Sequence, residues 1–351
     1  MISRENNFDL IRLIAAFQVA IIHTAEHLQL DDAYLQSIGG ISFPFPGVFV
    51  FFVISGFLIT ASCVNNVSFV RYLKNRVLRI FPALWCAFLL LFVVLCVCGY
   101  INRDTLKLPQ LWAWMVGQTT VFEFYTPDVL RGFGVGCPNG SLWTIPVEFG
   151  FYLLLPLVIY ICRKRLNICL IVLSVMSLGV NYINALFLDG TVMKLIKYSF
   201  LPWLYCFFIG SLLYLNWDAV RKFFEGKAIY WILVYGLYVN LVAGPSYQVV
   251  LPGILGANIL LAFLTISLAY TIPKMGGILH GIDISYGLYL YHMIVVNVFV
   301  ELGFVGEWKY GLASLALSVL LGLISWLLIE KKALSLKDVK FRIPFRNEQR
   351  L

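Results

Sequence analysis

Apolar stretches long enough to cross a membrane recur from one end of the sequence to the other. Hydropathy places them at residues 8–29, 45–63, 80–100, 143–162, 166–182, 197–215, 228–243, 249–270, 283–302 and 309–329. A helix of about 17 to 25 apolar residues crosses the hydrocarbon of a bilayer. The pattern therefore predicts an all-α fold, a polytopic membrane helix bundle of about ten transmembrane helices. Because 61% of the residues are hydrophobic and only 13% are charged, a water-soluble fold is excluded.

Two of the apolar stretches need interpretation. The first carries Arg12, His23 and Glu26 and no cleavage site follows it, so we interpret it as a retained helix and not as a signal peptide. Residues 111–124 form a further semi-apolar stretch that is too short to span, and we expect it to be interfacial or re-entrant.

The basic residues predict the orientation and the surroundings of the chain. Most Lys and Arg fall on one side of the predicted topology, and the positive-inside rule then predicts that both termini are cytoplasmic. The net charge of +8 is accounted for by short basic clusters beside apolar runs, which suit anionic lipid headgroups. We therefore expect the lipid bilayer as a partner and no nucleic acid. Residues 1–332 are predicted to form one membrane-embedded domain, and residues 333–351 a basic cytoplasmic tail.

Neither disulfides nor a metal site are expected. Of the eight Cys, only Cys137 falls clearly in an outer loop, where it has no partner for an intramolecular disulfide. The spacing of His23 and His27 suits a metal, but no third ligand is evident.

The first helix carries ionisable residues that are costly within a membrane unless they meet water or a partner. Arg12 and His23 are eleven residues apart, which places them on one helix face about 16 Å apart along the axis, the reach of a long thin cofactor arm. Asp9 and Glu26 are each three residues away from one of them, so a carboxylate could pair with Arg12 and another could orient His23. The alternatives are a snorkelling anchor for Arg12 and a packing histidine for His23.

Two further positions attract attention. Arg76 and Arg79 are three residues apart, so on a helix they form a fork suited to phosphate oxygens, although anchoring by the positive-inside rule explains them equally well. Glu148 lies near the outer end of the fourth predicted helix. It could fix a sugar hydroxyl, support a base, or simply face water.

Together these segments resemble the acyltransferase family 3 membrane proteins, of the type that O-acetylate surface polysaccharides, over nearly the whole chain. The segments are Arg12 through His23, which matches an Arg followed by ten residues and a His, Phe49-Val-Phe-Phe-Val-Ile-Ser55-Gly56-Phe-Leu-Ile, Arg76-Val-Leu-Arg79, Leu142-Trp143 through Glu148 and Phe151-Tyr152, and Ile284-Ser285-Tyr286-Gly-Leu-Tyr289-Leu-Tyr-His292. The chain departs from the family pattern at Glu330-Lys331-Lys332, where an ending of the Glu-x-Pro type is common, and we expect no fused esterase-like domain.

The resemblance implies transfer of an acyl group, usually acetyl, from cytoplasmic acetyl-coenzyme A to an extracytoplasmic or lipid-linked glycan such as O-antigen, in a bacterial inner membrane. It implies that Arg12, Arg76 and Arg79 hold the coenzyme and that His23, with Glu148, is catalytic. We expect His23 to act as a general base; whether it instead carries the acyl group itself is left open. We expect His280 to be solvated in a loop and His292 to serve a structural hydrogen bond. The competing hypothesis is a transporter of a sugar or lipid-linked glycan.

Overall fold

The computed structural model describes residues 6–30, 44–65, 68–123, 125–187, 190–243, 252–271 and 281–338, and within these ranges all regular structure is helical. The α-helices are α1 Phe8–His27, α2 Gly47–Asn65, α3 Phe69–Val97, α4 Pro109–Thr119, α5 Thr144–Cys162, α6 Leu166–Phe187, α7 Gly190–Lys197, α8 Leu204–Leu215, α9 Trp217–Val220, α10 Ala228–Tyr238, α11 Pro252–Thr271, α12 Ser285–Glu301, α13 Trp308–Ser325 and α14 Lys331–Ser335. Two π-helical segments, Val239–Ala243 and Trp326–Glu330, follow α10 and join α13 to α14.

The helices agree with an integral membrane protein. Within the described residues, six helical stretches are long and apolar enough to cross a membrane: Phe8–His27, Gly47–Asn65, Phe69–Val97, Gly140–Asn184, Ile254–Thr271 and Trp308–Ser335. The fourth stretch contains both α5 and α6, and two shorter apolar helices are Leu201–Leu215 and Ala228–Val242. Each predicted span overlaps a helix, while the number of ten crossings and the side on which the termini lie stay predictions.

Two predicted boundaries were wrong, for identifiable reasons. The third helix begins at Phe69 and not at residue 80, because the Ser68 side chain accepts a hydrogen bond from the backbone N–H of Arg71 and caps the helix. The basic cluster therefore lies on the first turns of α3. The predicted helix at 197–215 is interrupted, because α7 ends at Lys197 and Pro202 lies in a 3-10 turn before α8. Segment 111–124 overlaps α4, whose eleven residues, Pro109–Thr119, are too few to span.

Helix α12 lies at the centre of the bundle. Between Ser285 and Asn297 every residue is buried except Tyr286, which is half-buried. Ala16 and Ala20 of α1 are fully buried and pack with Leu288 of α12, and α13 packs on another side. Small side chains at such a contact allow two helices to approach closely. This contact brings the face of α1 that carries His23 against α12.

Helices α2 and α8 approach each other so closely that only glycine fits between them. An added Cβ on Gly56 would lie 1.8 Å from the carbonyl oxygen of Phe207, and one on Gly210 would lie 2.1 Å from that of Val53. The Ser211 hydroxyl donates a hydrogen bond across the contact to the carbonyl oxygen of Gly56 at 3.3 Å. The backbones of α2 and α8 therefore meet directly.

We expect Gly56→Ala to destabilise the protein by about 1 to 3 kcal/mol, because the added methyl group forces two backbones apart. The thermal unfolding midpoint in detergent measures the effect. Gly179→Ala in α6 is the matched control, since an added Cβ there meets nothing within 4 Å and alanine favours a helix. Equal midpoints for the two variants would contradict the close contact.

Candidate functional site

A cavity of about 390 Å³ brings together four of the five residues that the sequence singled out. Arg12, Arg76, Arg79 and Glu148 all line it, whereas His23 does not. The lining runs from the first turns of α1, through α2 and α3, to the first turns of α5, and its remaining charged members are Asp9, Asp283 and Lys337. Most of the other lining side chains are aromatic or aliphatic, so the charges stand in an apolar wall.

Arg12 has the carboxylate partner that its spacing predicted. Its Nη1 lies 3.2 Å from Asp9 Oδ1, and Asp9 is exposed. The pair thus lies where the cavity meets the surface, and it costs little to rearrange because exposed ion pairs are weak.

Arg76 and Arg79 both line the cavity but differ in how they are held. The Arg76 guanidinium lies over the rings of Tyr72 and Tyr152, at 6.0 and 5.7 Å from their centroids. Its buried Nε has no hydrogen-bond partner among the described residues. Arg79 Nη2 instead lies 2.5 Å from Asp283 Oδ2. Arg76 therefore retains donors for a ligand, whereas a carboxylate already neutralises Arg79.

Asp283 lies just before α12 and ties it to α3. Burial alone would raise the pKa of this carboxyl group, but the guanidinium of Arg79, the more distant Arg12 and hydrogen bonds from Ser285 and Arg79 hold the pKa at about 2. The carboxylate is therefore charged at neutral pH, and the ion pair closes one side of the cavity.

Glu148 belongs to the cavity and not to the surroundings of His23. Its Oε1 accepts a hydrogen bond from Ser55 Oγ at 2.9 Å and a second, short one from the Tyr152 hydroxyl. Ser55 precedes the glycine of the α2–α8 contact. The carboxylate is thus fixed in the same wall that holds Arg76.

His23 has an imidazole as its partner and not the carboxylate of Glu26. Its Nδ1 lies 2.9 Å from Nε2 of His292, which is fully buried in α12, and His27 stacks on its ring at 5.7 Å between centroids. Glu26 is exposed, one turn further along α1. The structural hydrogen bond expected of His292 is present, and its partner is the predicted catalytic residue.

The ring of Tyr289 lies between the cavity and the histidine pair. Tyr289 lines the cavity, and its ring centroid lies 5.8 Å from that of His292 and 5.8 Å from that of Phe51. Its hydroxyl group donates to the carbonyl oxygen of Ser141 at 2.7 Å and contacts Thr144 Oγ1 at 2.8 Å. The apolar part of the cavity that Phe51 and Tyr289 line is therefore one ring away from the histidines.

Comparison with known proteins shows which family the chain belongs to. The family described as an acyltransferase domain matches residues 5–330. The chain belongs to acyltransferase family 3. It is 34% identical to nodulation protein 10 of Rhizobium leguminosarum bv. viciae, over 95% of this chain and 94% of that protein, and 28% identical to an O-acetyl transferase of Shigella phage Sf6, over 97% and 99%. An O-acetyltransferase of Staphylococcus aureus is 30% identical over 38% of this chain and 24% of its own length. No solved structure matches.

As a family 3 acyltransferase, the chain carries two site features that its sequence did not reveal. Asp283 neutralises Arg79 from 204 residues away, and Glu330 is buried in the π-helical segment, where Ser325 Oγ donates to it at 3.0 Å. The Arg79–Asp283 pair spans 204 residues and leaves no local pattern in the sequence, whereas the unusual Glu330-Lys331-Lys332 ending did mark Glu330. His280 lies outside the described residues. In the part of the chain that is described, no group of three His, Cys, Asp or Glu could hold a metal ion, and all eight Cys are free.

We expect Asp283→Asn to lower the free energy of unfolding of this acyltransferase by about 3 kcal/mol at neutral pH, because Arg79 loses the partner of a largely buried pair. The folded-state pKa of Asp283 lies below the ordinary value of about 3.9. The stabilisation is therefore complete above about pH 4 and is lost as the pH falls towards 2. The difference in the free energy of unfolding between wild type and variant should become smaller over the same range.

Thermal unfolding of the detergent-solubilised protein at several pH values measures this difference. Asp104→Asn is the matched control, because the Asp104–Lys107 pair is exposed and should contribute almost nothing. A difference in stability that stays constant down to the lowest pH would rule out an ion pair between Arg79 and Asp283.

Proposed function

We propose that this membrane O-acyltransferase moves an acetyl group from cytoplasmic acetyl-coenzyme A to a hydroxyl of an extracytoplasmic or lipid-linked glycan such as O-antigen, in a bacterial inner membrane. The observation that carries the proposal is the cavity in which the motif residues Arg12, Arg76, Arg79 and Glu148 converge. Its volume is within the range of small-molecule sites, about 300 to 1,000 Å³.

The donor's phosphates suit the arginine end of the cavity. A guanidinium binds phosphate oxygens through paired charge-assisted hydrogen bonds. Arg76 has the unpartnered buried Nε, and Arg12 lies at the exposed end with only a weak pair to give up. We assign the phosphates to these two residues, with Arg79 and Asp283 forming the adjacent wall.

The acyl end of the donor suits the apolar end of the cavity. The narrow pantetheine arm would run along the wall of α2 towards Phe51 and Tyr289, beyond which His23 and His292 lie. The axial separation of Arg12 and His23, about 16 Å, fits an elongated donor held by its phosphates at one end.

His23 would act where the thioester and the acceptor meet. In this mechanism its free ring nitrogen takes the proton of the acceptor hydroxyl while the oxygen attacks the thioester carbonyl carbon. The new carbon–oxygen bond forms, the carbon–sulfur bond breaks, and the coenzyme leaves as a thiolate that takes up the proton. Glu148 would hold Ser55 and Tyr152 in the donor cavity and would not assist the base directly.

An oxygen acceptor is supported by the relatives. The full-length phage relative is named an O-acetyl transferase, and the Staphylococcus aureus relative is an O-acetyltransferase. The glycan is the acceptor that the resemblance to the family implies. A transporter would need neither coenzyme A nor a base, so coenzyme binding and labelled-acetyl transfer separate the two hypotheses.

We expect Arg76→Ala to weaken coenzyme A binding at least about tenfold, since each charge-assisted contact contributes about 1.5 to 3 kcal/mol. Titration of the purified protein with coenzyme A in detergent measures the affinity. Arg163→Ala is the matched control: it removes a basic residue at the end of α5 that lies outside the cavity. Equal losses in both variants would show a general charge effect and not a phosphate site.

We expect His23→Ala to reduce transfer of labelled acetyl to membrane glycan by about 10²- to 10⁴-fold, the usual contribution of a general base, with coenzyme A affinity close to that of wild type. Transfer is measured in membranes with matched expression, together with coenzyme binding by the same samples. A His23→Ala variant that transfers normally would remove His23 from the mechanism. Wild type that neither binds the coenzyme nor transfers acetyl would favour the transporter.

A further inference from the structure

The contact between His23 and His292 has the geometry of a directional hydrogen bond. The two rings are inclined by only 14°, and their centroids lie 5.2 Å apart with Nδ1 of His23 2.9 Å from Nε2 of His292. The centroid separation equals this distance plus the two ring radii, so the rings meet edge to edge and not face to face. The nitrogen–nitrogen line therefore lies close to both ring planes, which suits an N–H pointing at a lone pair.

The other nitrogen of His292 decides which ring donates. His292 Nδ1 lies 3.2 Å from the carbonyl oxygen of Leu288, and a carbonyl oxygen only accepts. Nδ1 of His292 therefore carries the proton, and its Nε2 offers a lone pair when the ring is neutral. A second proton on this fully buried ring would place a cation in an enclosed site and against a neighbouring imidazole, at high cost. The proton in the contact therefore belongs to Nδ1 of His23.

We infer that His292 is a positioning residue that holds His23 in the Nδ1–H tautomer, with the lone pair of Nε2 free for the acceptor hydroxyl. The inference rests on the proposed function and extends it. An imidazole in water favours the opposite tautomer, in which Nε2 carries the proton and cannot accept one. His292 thus does for His23 what the buried carboxylate does for the histidine of a serine protease, without adding a charge to the membrane interior.

The backbone of α12 sets this orientation. His292 sits in the fully buried part of the helix, one turn after Leu288, and Leu288 packs against Ala16 and Ala20 of α1. A series of hydrogen bonds runs from His23 through His292 to the carbonyl oxygen of Leu288. Because that carbonyl oxygen can only accept, it fixes the donor and acceptor in each of these bonds. A packing histidine would need partners for its nitrogens, but it would impose no single tautomer on its neighbour.

Nitrogen-15 NMR of the full chain in lipid bilayers tests the tautomer without any turnover. The sequence has four histidines, so a protein with both His27→Gln and His280→Gln keeps only His23 and His292. Adding His23→Gln to it then shows which imidazole signals belong to His292. At a pH where imidazoles are neutral, we expect both rings to show a protonated Nδ1 and a bare Nε2. In His292→Phe, His23 should revert to the Nε2–H form. A protonated Nε2 on His23 in the parent protein would overturn the inference.

Kinetics test the consequence. The Oε1 atom of glutamine takes the place of Nε2 as an acceptor, so His292→Gln should retain kcat within about tenfold, whereas His292→Phe should lower kcat by about 100-fold with KM for acetyl-coenzyme A unchanged. His27→Phe is the matched control, since it keeps a ring stacked on His23 and should change kcat by less than about threefold.

The outcomes separate the two proposals. Equal losses for His292→Gln and His292→Phe, or parallel changes in kcat and KM, would show that His292 only supports the fold and would overturn the inference. The expected tautomer in a wild-type protein that binds no coenzyme A and transfers no acetyl would refute the proposed function and leave the positioning of His23 standing.

Discussion

The structure depends on a helix that is buried on all sides while carrying several polar side chains. Hydrocarbon and packed protein offer no water, so each polar group on α12 must find its partner within the chain. Ser285 bonds to Asp283, Tyr289 to Ser141, His292 to His23, and Asn297 to the backbone of Cys137. These partners come from three parts of the chain: the residues just before α12, residues 137–141 and helix α1. The polar groups of one helix therefore position the arginine cavity, the start of α5, the loop before it and the histidine pair relative to one another.

The site has two parts, one lined by charged side chains and one without net charge. Within the described part of the chain, the charged side chains of the cavity are four cations, Arg12, Arg76, Arg79 and Lys337, and three carboxylates, Asp9, Glu148 and Asp283, so a small positive excess suits an anionic donor. The histidine pair has no net charge in the tautomers that we infer, which suits proton transfer in an enclosed place. Tyr289 borders both parts and is tied by its hydroxyl group to the start of α5. In the proposed mechanism, a donor held by its charge at one end is presented to a neutral base at the other.

How much could be predicted from the sequence depends on the range of each interaction. Helices followed from runs of hydropathy, and Arg12 with Asp9 followed from a three-residue spacing. The start of α3 was missed because hydropathy ignores a basic amphipathic turn, although Ser68 is an ordinary helix cap. The partner of His23 could not be found at all, because a contact across 269 residues leaves no periodic trace and Glu26 offered a nearer carboxylate. The resemblance to the family pointed to the four motif residues that line the cavity. It did not predict that Arg76 lies over tyrosine rings while Arg79 pairs with Asp283.

The direct backbone contact between α2 and α8 gives the cavity walls unequal freedom. Residues of α2 line one side, and behind them Gly56 and Gly210 leave no side-chain layer that could be compressed or rearranged. The facing side is assembled from α3, α12 and the last helices, joined by an ion pair and by the hydrogen bond from the Tyr286 hydroxyl to the carbonyl oxygen of Ile80. We therefore expect any widening of the cavity that admits a bulky donor to occur on the facing side, while the α2 wall stays in place.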